Sequence, residues 1–375
     1  MTLNAAHHGM IRYPCREEVA ELSWCRHFRW QAWVPCVMLL WMMQVSGNVA
    51  LPTANAGPKR GQFNAEVMAN IAICREHFIL RLRVTHFPPS EPGQFVQVLC
   101  DPDVAIGVSE AGPAAAYSEV CWEPGSVPPA FQNADLLGSA PYLRRPFSIA
   151  GRRDNPVSGY SEIDLIYRVI GKTTGRMAAL VVGDSISILG PLGHGFSLPR
   201  EMTTALLVGG GVGIPPMIYL AEKLQRQGIN ALAFIGAQRA DLIPLHITGA
   251  VGLEPALNVQ EFAAFDTPTV IATDDGSLGQ KGFVTRALQQ FCQSKPQAGA
   301  VIFCCGPTPM MRATALVAAE FNLTCYASLE QPMACGMGTC QSCVIKYRPP
   351  RAEDWVYKLT CKDGPVFNTM DILWQ

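Results

Sequence analysis

Four cysteines near the C-terminus constrain this chain more than any other feature. Cys335, Cys340 and Cys343 stand as C-x4-C-x2-C, and Cys361 follows after 17 further residues. This spacing puts three thiolates on one tight loop and brings the fourth from a distant hairpin, the plant-type arrangement for a [2Fe-2S] cluster. Gly336 and Gly338 let the loop wrap closely and turn its N–H groups toward sulfur. A structural zinc site with four thiolates is the alternative. Zinc loops usually pair cysteines two to four residues apart in two knuckles, and Cys361 has no near partner in sequence. A Gly- and Cys-rich tail this short needs a staple to fold.

The other ten of the 14 cysteines (Cys15, Cys25, Cys36, Cys74, Cys100, Cys121, Cys292, Cys304, Cys305, Cys325) are scattered, mostly in apolar surroundings. Scattered thiols with one cluster indicate a reducing compartment, the cytoplasm, rather than a disulfide framework. At 375 residues the chain exceeds what one core usually serves, so two or three domains are expected. A formal net charge of -1 provides no overall field for nucleic acid or an anionic membrane. Partners must be recognised locally.

The first 62 residues are an extension of uncertain status. Residues 30–45 form an apolar run broken by Pro35, with Arg26 and Arg29 before it and Ala54-Asn55-Ala56 after it. Glu17, Glu18 and Glu21 are wrong for a signal peptide, and the run is short for a membrane span. A translated upstream region or disordered extension is the favoured reading, with a start at Met42, Met43 or Met68; a membrane anchor is the alternative.

From Asn64 onward the chain reads as short strands. Phe78, Leu80, Leu82 and Val84 alternate with Arg81 and Arg83, and further strands are expected at 93–98, 147–150, 163–169 and 185–189. Together these suggest a small antiparallel barrel spanning 63–200, with a Pro-, Gly- and Ala-rich insertion at 101–139. After Pro199, apolar runs at 205–208, 231–235, 270–273 and 301–304 alternate with helical patterns at 217–225, 284–292 and 310–321. That alternation implies a doubly wound parallel sheet over 201–325, followed by a small domain at 326–375.

Three stretches carry binding chemistry. Gly209-Gly210-Gly211-Val212-Gly213 follows a strand and opens a helix, where dinucleotide phosphates approach the backbone, although Pro216 replaces the third Rossmann glycine. In Arg144-Arg145-Pro146-Phe147-Ser148, arginine can pair with a pyrophosphate and the serine hydroxyl can reach a flavin ring nitrogen. Cys305-Gly306-Pro307 ends a strand at the sheet edge where ligands bind. Taken alone, each is also an ordinary turn. Gly171-Lys172-Thr173 is not a P-loop, because Ile166 stands where its first glycine belongs. No nucleophilic triad or paired-carboxylate pattern stands out, so no catalytic residue is assigned.

In this order the motifs resemble the electron transfer subunits of NAD-dependent dihydroorotate dehydrogenase, within the ferredoxin reductase superfamily. The resemblance runs from about Asn64 to the C-terminus and omits the insertion. Its most specific parts are Ser328-Leu329-Glu330, 333–340 and 361–367, with further matches at 189–196 and 273–277. It implies a Greek-key barrel with FAD held by Arg145, Pro146, Phe147, Ser148, Ile166, Tyr167, Arg168, Thr173 and Thr174. Thr173 departs from the usual glycine. NAD would be served by Gly209, Gly210, Gly211, Gly213, Asp274, Cys305, Gly306 and Pro307. The resemblance also implies a separate FMN-bearing subunit that oxidises dihydroorotate in UMP biosynthesis. Its electrons would pass through the cluster and FAD to NAD+. Two alternatives remain: a reductase of the same superfamily serving an oxygenase, hydrogenase or sulfite reductase, and a non-catalytic zinc-binding module. Arg239, after the second strand of the sheet, leaves NADP open.

Overall fold

Six antiparallel strands close into a barrel: β1 (Gly61–Cys74), β2 (His77–Thr85), β3 (Phe95–Leu99), β4 (Arg145–Asn155), β5 (Tyr160–Arg168) and β6 (Ser185–Leu192). The computed structural model describes residues 60–100, 143–295 and 297–374. Residues 1–59 of the expected extension and the whole expected insertion lie outside them. Around the barrel the order is β1-β2-β5-β4-β3-β6, a Greek-key path. Alternation on β2 works as its sequence suggests. Leu80, Leu82 and Val84 fill the interior, while Arg81 reaches outward to Asp164 Oδ1 at 2.9 Å. β3 is different because all five of its residues are buried. Val96 and Val98 fill the barrel, and Phe95 packs into a separate cluster outside it. A short helix, α1 (Lys172–Ala178), links β5 to β6.

The second layer system is a seven-stranded sheet. Strands β7 (Thr204–Gly210), β8 (Asn230–Ala237), β9 (Thr269–Thr273), β10 (Gln280–Lys281), β11 (Ala300–Cys305) and β12 (Thr324–Ser328) run parallel. Helix α2 (Ile214–Arg226) covers one face, where Met217, Leu220 and Leu224 share a core with Leu207 and Ile235. A short turn of helix, α3 (Gln260–Ala263), adds Phe262 to that core. Helices α4 (Val284–Ser294) and α5 (Thr308–Glu320) cover the other face, where Leu288 and Met311 pack with Leu206, Phe234 and Ile302. Burial on both faces explains why these strands read as continuous apolar runs.

The C-terminal segment forms a hairpin, β13 (Val344–Tyr347) with β14 (Val356–Leu359), and then returns to the sheet. Its last strand, β15 (Val366–Asn368), pairs antiparallel with β12 and completes the order β10-β9-β8-β7-β11-β12-β15. The boundary expected at 325/326 therefore falls inside β12. Barrel and sheet are sealed around α2, where Tyr219 Oη donates to the Ser90 carbonyl at 2.8 Å. Ala150 and Ile166 of the barrel join the α2 core. Among the described residues no helix is long and apolar enough to cross a membrane.

Candidate functional site

A cavity of about 1090 Å³ opens where the barrel, the sheet and the cysteine loop meet. Pockets for ordinary small molecules run to roughly 300–1,000 Å³, so this one suits a dinucleotide. All nine residues expected at FAD line it: Arg145, Pro146, Phe147, Ser148, Ile166, Tyr167, Arg168, Thr173 and Thr174. Their side chains are not equivalent. Arg144 turns away and donates to the Ser187 carbonyl and hydroxyl, both at 2.9 Å. Arg145 lines the cavity and bonds only the nearby carbonyls of Leu143 and Arg144. It has no carboxylate partner among the described residues. Arg168 is held by Glu76 Oε2 at 2.8 Å, which offsets its charge. Tyr167 is buried in the barrel core with its hydroxyl donating to Asn70 Oδ1 at 3.0 Å, so its hydroxyl is already engaged. The Thr174 hydroxyl accepts from the Ile170 N–H at 3.0 Å and fixes the turn into α1. Thr173, at the non-glycine position, faces the cavity.

The nicotinamide candidates cluster by topology. In the sheet the order reverses between β7 and β11, and this switch point is where open α/β sheets bind ligands. The glycine turn leaves β7 there, and Cys305, Gly306 and Pro307 leave β11 beside it. A Cβ on Gly213 would lie 2.2 Å from the Cys305 carbonyl oxygen, and one on Gly306 would lie 3.0 Å from the Gly210 oxygen. These glycines are required first by backbone packing against the neighbouring turn. Gly211 differs: its φ is +54°, and a Cβ there would meet nothing within 4 Å. Gly213 and Cys305 line the cavity; Gly209, Gly210, Gly211, Gly306, Pro307 and Asp274 stand at the same sheet edge outside its lining. Asp274 follows β9, and its N–H donates to the Ala237 carbonyl at 3.0 Å. Burial pushes its carboxyl up, with Asp275 adding to the shift. Burial also pushes the Cys305 thiol up to about 12, with Glu330 adding to the shift and keeping it protonated. Arg239 is paired with Asp241 Oδ2 at 2.9 Å.

The four cysteines fall into two pairs. Cys343 and Cys361 are buried and share an apolar cluster with Phe95 and Leu192 of the barrel. Cys340 is exposed and Cys335 half-buried. The N–H groups of Met337 and Cys340 both approach Cys335 Sγ at 3.4 Å. Gly336 and Gly338 hold φ values of +68° and +91°, which glycine adopts without strain. Ser342 Oγ lies 3.2 Å from Cys340 Sγ, and its hydrogen bonding draws that thiol down to about 6. Burial instead pushes Cys361 up to about 12, with hydrogen bonding to Cys343 adding to the shift. Among the described residues no three ligand-type side chains converge as a preformed metal site, so the four cysteines stand as two pairs, and the N–H donors aimed at Cys335 sulfur are the feature that suits an iron–sulfur centre.

The cavity also reaches that loop, since Met333, Ala334 and Ser342 are in its wall. Phe95, Thr308 and Glu330 line it as well, and none of the three was singled out from sequence as a site residue. The two motif stretches 189–196 and 361–367 prove to be contact partners. The His194 N–H donates to the Gly364 carbonyl at 2.7 Å, and a Cβ on Gly193 would lie 2.5 Å from Pro365 Cδ.

Comparison with known proteins agrees with this arrangement. Residues 330–373 match the protein-family model for the iron-sulfur cluster binding domain of dihydroorotate dehydrogenase B, and 207–315 match the oxidoreductase NAD-binding domain. The electron transfer subunit of dihydroorotate dehydrogenase B (NAD(+)) from Bacillus caldolyticus is 38% identical over 250 residues, covering 66% of this chain and 86% of the relative. The subunit of the same name from Fusobacterium nucleatum is 36% identical over 235 residues, covering 61% and 80%. Among solved structures, an NADH-dependent reduced ferredoxin-NADP oxidoreductase superposes with a TM-score of 0.59 at 26% identity, covering 83% of this chain and 90% of that one. The chain belongs to the family of electron transfer subunits of NAD(+)-dependent dihydroorotate dehydrogenase B.

Proposed function

We propose that this chain carries electrons from a separate FMN-bearing, dihydroorotate-oxidising subunit to NAD+, serving pyrimidine (UMP) biosynthesis in the cytoplasm. The observation that carries this reading is the single cavity bounded by the flavin motif, the switch point and the cysteine loop. When bound, an iron–sulfur centre exchanges single electrons and FAD one or two, which links one-electron delivery to hydride transfer. The residues divide the work. Cys335, Cys340, Cys343 and Cys361 hold the cluster, with exposed Cys340 on the side a partner can reach. Arg145 supplies the unpaired cation for the FAD pyrophosphate, and Ser148 presents a hydroxyl to the ring. Gly211 and Gly213, with the Cys305–Pro307 corner, receive the nicotinamide cofactor at the switch point. Phe95, in both the cavity wall and the Cys343/Cys361 cluster, would shield those two buried thiols from water in the cavity.

Co-expression with the FMN subunit tests this directly. A complex that reduces NAD+ with dihydroorotate is the expected result. Cys340→Ser should abolish that transfer and spare NADH oxidation by artificial acceptors. A second reading, a reductase serving another partner, draws support from the likeness to the ferredoxin-NADP oxidoreductase. Failure to bind an FMN subunit, together with reduction of a free ferredoxin, would favour it.

A further inference from the structure

Gln97 is fully buried, and neither its Oε1 nor its Nε2 has a hydrogen-bond partner among the described residues. A buried polar group left unpaired is costly, so a carboxamide held here calls for a partner beyond the described residues. Its position indicates which one. Val96 and Val98 fill the barrel, so strand alternation turns Gln97 outward, to the side where Phe95 joins Cys343 and Cys361. There the side chain abuts Gly336, the residue after Cys335. A Cβ on Gly336 would lie 2.7 Å from Gln97 Cγ and 2.8 Å from Nε2. The glycine thus makes room for the carboxamide against the loop that carries three of the four thiols.

We propose that Gln97 donates its Nε2–H to sulfur of the iron–sulfur centre and so sets that centre's potential from the barrel. This rests on reading the four cysteines as [2Fe-2S] ligands. Donors to cluster sulfur stabilise the more negative, reduced form and raise its potential. The backbone N–H groups of Met337 and Cys340 belong to the loop itself, whereas Gln97 reaches it from the flavin-binding barrel. The potential is therefore tied to how the barrel seats the loop.

The test is an anaerobic redox titration of the holo-protein followed by EPR, comparing wild type with Gln97→Met and Gln97→Glu. Methionine fills the same space without an N–H, so a role in packing alone would leave the potential unchanged. Expected are full iron and sulfide content, an unaltered flavin spectrum and a lower cluster potential. The fall should correspond to roughly a tenfold change in the reduced-to-oxidised ratio, about 59 mV for one electron. An intact centre with unchanged potential overturns the proposal. If both variants lose the centre, pulsed EPR decides on protein with Gln97 intact, side-chain ¹⁵N-glutamine label and Gln331 and Gln341 replaced by Asn. Hyperfine coupling to labelled nitrogen supports the donor, and its absence refutes it. Wild-type protein lacking iron and sulfide would defeat the cluster reading itself, a distinct outcome.

Discussion

Phe95 and Cys343 pack in one apolar cluster, and Phe95 also lines the flavin-sized cavity. The barrel and the cysteine loop are therefore joined by shared core, as well as by the hydrogen bond from the His194 N–H to Gly364. Phe95→Ala should destabilise the chain by about 3–5 kcal/mol, the usual cost of emptying a buried aromatic site. Denaturant unfolding measures this. Iron content should fall with it, because the two buried cysteines lose their apolar cover.

Arg145 and Arg144 are sequence neighbours with opposite assignments. Arg145→Ala should weaken FAD binding roughly 10- to 100-fold, as expected for losing charge-assisted hydrogen bonds of about 1.5–3 kcal/mol. Arg144→Ala, which breaks a tie to Ser187, should lower thermal stability and retain most of the flavin. Flavin-to-protein ratio after gel filtration distinguishes the two. Equal flavin loss in both would contradict the division.

Two glycines of the same turn should respond very differently to alanine. Gly213→Ala drives a Cβ to 2.2 Å from the Cys305 oxygen, backbone against backbone, and should exceed the roughly 1–3 kcal/mol typical of overpacking. Gly211→Ala meets open space and carries only the cost of a left-handed residue, about 1–2 kcal/mol. Thermal unfolding compares them, and NADH oxidation by ferricyanide reports whether the switch point survives.

Glu330 keeps solvent-exposed surface at the cavity mouth, but the protein packed around its carboxyl desolvates it and raises it above its usual 4.5. The folded chain then binds that proton more tightly than the unfolded chain. The resulting stabilisation is full below about pH 4.5 and is lost as pH rises through the folded value. Glu330→Gln mimics the protonated form. Its Tm should exceed that of wild type near pH 7, and the gap should close toward pH 4. A gap independent of pH would contradict this.

The chemistry-bearing parts were legible because they are local. The cysteine spacing, the alternation on β2 and the strand–glycine–helix turn each lie within a short window. What stayed hidden depends on distant partners. β1 carries no clean strand signal in sequence because bulges between Val67 and Ala69 and between Ala72 and Cys74 break its alternation. β15 is three residues long and is a strand only because β12 lies beside it. The glycine turn read as a phosphate cradle, yet Gly213 is also required by the β11 corner, far away in sequence. Gln97 looked like an ordinary strand residue, since Gly336 gives it meaning only in three dimensions.

The most direct test is an anaerobic NADH titration of the purified chain, followed by absorbance and EPR together. The account requires about one FAD and two irons with two sulfides per chain. NADH should bleach the flavin bands and bring up the EPR signal of a reduced two-iron centre. A colourless protein containing zinc, or flavin bleaching with no EPR signal from iron, would contradict it.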